Sequence, residues 1–162
     1  MSRRREQPGP PTPVPGSGGA GTGSPFPVPA SPVPVAPSGW PRGAGYAHGM
    51  LAEGRQLFIA GQIGWDPVTG RVKSGGLTAQ VRKALENVVA VLAAAGAQPA
   101  HLVRLTWFVT DREAYLQGRS AIGVAYREII GPHYPAMSVV VVAGLLETGA
   151  EVEIEATAVM PA

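Results

Sequence analysis

The chain has 162 residues, enough for one domain with a modest core, and 45% of them are hydrophobic, as in a globular protein. Its formal net charge of +2 arises where Arg3, Arg4 and Arg5 outweigh Glu6; past residue 40 acidic and basic residues balance, which argues against the clustered basic face of a nucleic-acid-binding domain. The absence of cysteine excludes disulfides, thiolate catalysis and thiolate metal sites, and no apolar run reaches membrane-spanning length.

The first segment is of low complexity. Residues 16–24 form a Gly/Ser run, and residues 25–37 interleave proline with Phe, Val, Ala and Ser, a composition that favours extended polyproline II. Such a segment cannot bury enough apolar area to offset its chain entropy. Residues 1–42 therefore read as a disordered Pro/Gly-rich extension and residues 43–162 as the folded domain. The glycine run is no phosphate loop, because no strand precedes it and no Gly-Lys-Ser/Thr follows. No apolar stretch follows the three arginines, so a secretory signal is not expected and the expected compartment is the cytoplasm.

Residues 57–63 are apolar and partly β-branched, which predicts a strand, with residues 45–52 as its hairpin partner across a Glu53-Gly54 turn. Asp66-Pro67-Val68-Thr69-Gly70 is a turn. Val81, Leu85, Val88, Leu92 and Ala95 recur at helical spacing opposite Arg82, Lys83 and Glu86, and Gly96 ends that helix. Residues 102–109 form a strand that stops at Thr110-Asp111, where Asp111 can cap a second helix. That helix carries Tyr115, Leu116, Ile122, Tyr126 and Ile129 and stops before Gly131-Pro132. Residues 138–143 and 151–159 are the last strands. The order β-β-α-β-α-β-β predicts an α+β fold, two helices layered on one mixed sheet. Residues 138–142 are apolar on both sides, so the other sheet face is expected to associate with a further copy.

Chemistry-bearing residues are few. Glu151, Glu153 and Glu155 share one strand face at period two. His48, His101 and His133 lack metal-ligand spacing, so no metal site is expected. Ser138 has no discernible His-Asp context, and neither Lys73 nor Lys83 sits in the apolar setting that Schiff-base chemistry needs.

Five segments, in order, resemble the Rid (YjgF-type) enamine/imine deaminases. They are Ala60-Gly61-Gln62-Ile63 with the 66–70 turn; Gln80, Ala84-Leu85-Glu86-Asn87 and Val91-Leu92; residues 105–111; Pro135-Ala136; and Val152-Glu153-Ile154-Glu155-Ala156. The resemblance implies a chorismate-mutase-like fold and a homotrimer whose sheets form a central barrel. It further implies small-molecule clefts between subunits and hydrolysis of a reactive enamine or imine to ammonia and a 2-oxo acid, with no metal or organic cofactor. It assigns Glu153 to the attacking water, and Tyr46, the Gly61 backbone and Ser138 to the ligand. A carboxylate partly desolvated at the cleft wall would have a raised pKa and could act as a general base.

The chain departs from the family pattern at two positions. Ala47 stands where serine is usual, and Met137 where an arginine grips the substrate carboxylate. A planar guanidinium offers two charge-assisted hydrogen bonds and a thioether only a weak acceptor. Losing one partner of such a buried pair costs roughly 2–5 kcal/mol. The usual small 2-imino acids are therefore expected to bind poorly, unless Arg42 or Arg104 supplies the charge. Otherwise Met137, Trp65, Tyr46 and Tyr134 would form an apolar pocket for a larger or less charged ligand. The alternative function is a non-catalytic small-molecule binding or regulatory trimer of the same fold.

Overall fold

The computed structural model describes residues 31–161; the Gly/Ser run, most of the expected disordered extension and Ala162 lie outside the described residues. In chain order the elements are β1 (Val33–Val35), β2 (Gly49–Leu51), β3 (Arg55–Ile63), β4 (Trp65–Asp66), β5 (Arg71–Val72), α1 (Gly76–Ala94), β6 (Leu102–Val109), α2 (Arg112–Ile129), β7 (Ala136–Val141) and β8 (Val152–Met160). The central sheet has the order β3-β8-β6-β7. β8 runs antiparallel to both β3 and β6, whereas β6 and β7 are parallel. The parallel pair requires a crossover, and α2 provides it. No helix among the described residues is long and apolar enough to cross a membrane.

Both helices cover one sheet face. Strand alternation sends Leu105, Trp107 and Val109 of β6 and Val152, Ile154, Ala156 and Ala158 of β8 into the core. They meet Val81, Leu85, Val88 and Leu92 of α1 and Ile122 and Tyr126 of α2. The helical stripe expected on α1 is thus the core stripe. On α2 the stripe is narrower than expected, since Leu116 stays 37% exposed. Gly96 follows the end of α1 at φ 72°, and the Asp111 carboxylate accepts a hydrogen bond from the Ala114 N–H at 2.9 Å, capping α2.

The N-terminal hairpin differs from expectation. β2 pairs with β1 rather than with β3, in the register Val33↔Leu51 and Val35↔Gly49. Gly54 adopts φ 144° against the Met160 carbonyl, so the chain enters β3 alongside β8 instead of folding back on β2. Val33-Pro34-Val35, within the stretch expected to be an unstructured extension, is therefore strand. Proline is tolerated there because β1 has a partner on one side only.

The uncovered sheet face carries Phe58 (73% exposed) and Val140 (44% exposed) beside Arg104, Thr106, Glu155 and Thr157. It is apolar in part and charged in part.

Candidate functional site

The sheet brings the expected site residues together in two groups. In the first, Glu153 is half-buried on β8, alternating with the fully buried Val152 and Ile154, so its carboxylate lies on the uncovered face. The β3–β8 pairing slips between Ile59 and Gln62, and Gly61 sits in that bulge. A Cβ placed on Gly61 would come within 2.5 Å of Glu153 Cδ and 2.7 Å of Cγ, so only glycine leaves room for this carboxylate.

Two buried polar side chains of α1 hold the backbone around Glu153. Gln80 Nε2 donates to the Gly149 carbonyl at 2.9 Å, and its Oε1 accepts from the Glu151 N–H at 2.8 Å, anchoring the entry to β8. Asn87 Nδ2 donates to the carbonyls of Ile63 and Trp65, at 3.2 and 2.9 Å, and Ile63 is the register partner of Glu153. Gly64 lets this segment approach the helix, since a Cβ there would be 2.6 Å from Gln80 Cα. In the sequence, Gln80 and Asn87 carry only a resemblance to the family, with no role attached. The available signal was two amides seven residues apart on the apolar face of α1, where buried polar groups need partners.

The second group lies at the other end of the sheet. The Ala47 N–H donates to the Pro135 carbonyl at 3.0 Å, and Ala47 bridges to Ala136. This sets Tyr46 beside the start of β7, which carries Met137 and Ser138. Register pairs Met137 with Leu105 and Ser138 with Thr106, so Met137 faces the helix side and packs against the core, whereas Ser138 is exposed on the other side.

β6 separates the two groups. Two strand spacings put Ser138 and Glu153 roughly 10 Å or more apart within one chain. The expected apolar pocket does not form within the chain. Tyr46 and Tyr134 line a shared groove, but Met137 and Trp65 are not among its lining residues, and Trp65 lies on β4 beyond the end of β3. The groove has a volume of about 710 Å³ and includes Arg42, His48 and His133. Tyr134 stacks on Tyr126 with ring centroids 5.5 Å apart. Burial, reinforced by Tyr134, raises the Tyr126 phenol well above its ordinary range, and its hydroxyl donates to the His133 carbonyl at 2.8 Å. No group of His, Asp and Glu among the described residues is arranged to hold a metal ion.

A family model described as endoribonuclease L-PSP matches residues 41–160. The chain belongs to this family. The L-PSP match takes in every element from β2 to β8, and with it both groups of candidate residues. Among relatives, the human 2-iminobutanoate/2-iminopropanoate deaminase is 32% identical over 114 residues, which span 70% of this chain and 79% of that protein. Among solved structures, the Rid-family protein YyfB of Yersinia pestis is 31% identical with a TM-score of 0.70, covering 80% of this chain and 99% of that one. TdcF of E. coli, solved with bound serine, is 32% identical with a TM-score of 0.56, covering 80% and 93%. The Rid resemblance is thus established at the level of family, and the mixed α+β fold with it.

Proposed function

We propose that this L-PSP/Rid protein hydrolyses a reactive enamine or imine and releases ammonia, in clefts between the subunits of a homotrimer. The observation that carries this reading is the Glu153 carboxylate lodged against Gly61, on backbone that the Gln80 and Asn87 side chains tie to α1 on either side. A carboxylate on an open strand face can take a proton from water as the oxygen adds to the imine carbon. The carboxylate passes that proton to the nitrogen to give a carbinolamine; the carbinolamine's hydroxyl proton then follows to the nitrogen through the same carboxylate, the C–N bond breaks, and ammonia and a carbonyl compound are released. Gly61 and Ser138 offer polar groups to the ligand, and Tyr46 closes over it.

The distance between Glu153 and the Tyr46–Ser138 group supports a site completed across two copies. The exposed Phe58 and Val140 support association through the open sheet face, as a central barrel would require. Met137, packed against the core without charge, favours a ligand other than the smallest 2-imino acids. The same observation favours the second reading, a binding or regulatory trimer that does not turn its ligand over.

Ammonia release from freshly generated 2-iminopropionate, and from imines of larger amino acids, tests the proposal. Glu153→Gln should abolish release while leaving the fold intact. If wild type and Met137→Arg are both inactive on every imine although folded, the deaminase reading falls and the binding reading replaces it.

A further inference from the structure

The groove beside Tyr46 has a charge character that the catalytic reading does not use. Its lining includes Arg42, His48 and His133 and contains no aspartate or glutamate. Both imidazoles are engaged: His48 Nε2 donates to the Pro41 carbonyl at 2.9 Å, and His133 Nε2 to the Leu102 carbonyl at 2.7 Å. Arg42 forms no ion pair among the described residues. Arg104 lines a separate depression together with Glu155, which offsets its charge.

The walls around Arg42 are aromatic and held in place. Tyr46 folds back on Gly43, where a Cβ would lie 2.9 Å from its ring. His48 meets Tyr46 edge-on at 5.4 Å and Trp40 at 5.1 Å. Tyr134 is backed by the buried Tyr126. Pro34, Val35 and Met50 add apolar surface. At about 710 Å³ the groove matches sites for drug-sized ligands and far exceeds what a three-carbon acid fills.

We propose that Arg42 anchors the ligand carboxylate in this groove, and that the groove selects 2-imino or 2-oxo acids with an aromatic or bulky apolar side chain. The guanidinium supplies a planar fork for the carboxylate, while Tyr46 and Tyr134 offer ring faces to the side chain. The Ala47–Ala136 bridge joins the groove to the start of β7, so the charge absent at Met137 is supplied from the loop packed against that strand. The substrate class rests on the deaminase reading; the anchoring role of Arg42 does not.

The test is equilibrium binding to the full-length protein, with phenylpyruvate, its uncharged amide and pyruvate as probes, for wild type, Arg42→Lys, Arg42→Gln and Glu153→Gln. Arg42 is exposed, so its replacement leaves the core untouched. The expected result is that phenylpyruvate binds more tightly than pyruvate or the amide. Arg42→Gln should then weaken it by about ten- to a hundredfold, Arg42→Lys less, and neither should change the weak binding of the amide. Equal phenylpyruvate affinity in wild type and Arg42→Gln overturns the proposal, as does a wild type that binds no 2-oxo acid. Loss of binding in Arg42→Gln, alongside a wild type and a Met137→Arg variant that release no ammonia from any imine, upholds the anchor and refutes the deaminase reading. Binding retained in Glu153→Gln with turnover lost upholds both.

Discussion

Replacing Gly61 by alanine separates the position of the Glu153 carboxylate from the stability of the domain. The new methyl would lie 2.5 Å from Glu153 Cδ, and carbon atoms settle at about 3.5 Å or more, so the carboxylate must withdraw by roughly 1 Å. The three atoms nearest the methyl all belong to the Glu153 side chain, which can swing away, and Gly61 does not have a positive φ. Pushing the side chain off its rotamer costs about 0.5–1.5 kcal/mol. Alanine recovers about 0.4–1 kcal/mol by restricting the unfolded chain. Stability should therefore change by no more than about 1 kcal/mol in urea titrations. A 1 Å displacement of a catalytic group costs on the order of a hundredfold in rate. Ammonia release should fall by about that factor, and in a Glu153→Gln background the same alanine should have no further effect. Full activity in Gly61→Ala would show that the placement of Glu153 does not matter to the reaction. A collapse in stability would show that Glu153 is locked rather than free to move, and that the bulge exists for packing.

Other changes follow from the same contacts. Asn87→Ala strips two carbonyls of their donor and should destabilise the domain by about 2–3 kcal/mol, with hydrogen exchange rising first around residues 63–66. Leu85→Ala opens a cavity beneath the sheet and should cost about 2–5 kcal/mol, read by thermal or urea unfolding. Asp111→Ala removes the cap of α2 and should cost about 1 kcal/mol. The N–H groups of Val68 and Thr69 hold the Asp66 carboxyl below the usual carboxylate range. Its contribution to the turn is present above the unfolded pKa and lost as pH falls through the folded one. Amide exchange at residues 67–70 should therefore accelerate on strong acidification while the core stays protected, and early melting of the core would contradict this.

Local patterns carry much of this architecture. The period of 3.6 in α1, the alternation in β6 and β8, the Gly96 and Asp111 signals and the closing Pro135-Ala136 and 152–156 segments each state a local preference that packing then reinforces. Glu153 was legible as a candidate through the resemblance alone, since three glutamates at period two look alike until something singles one out. Gly61 matches a family glycine in the sequence, but its place as the cavity for the Glu153 carboxylate is not legible there, because that contact joins residues 92 positions apart.

Tertiary structure decided the rest. A turn at Glu53-Gly54 is compatible with a hairpin, yet long-range pairing with β8 claims β3, and β2 is left to β1. A strand's choice among partners depends on non-local burial that no local composition encodes. The same holds for the split between Tyr46 and Glu153. Both are placed by strand order, and β6 lies between them only because α2 carries the chain across the sheet to a parallel β7. Residue types and periods determined which elements form and which faces are apolar. Which side chains meet across the sheet was decided by strand pairing, because hydrogen-bonded neighbours are selected by the burial of the whole core.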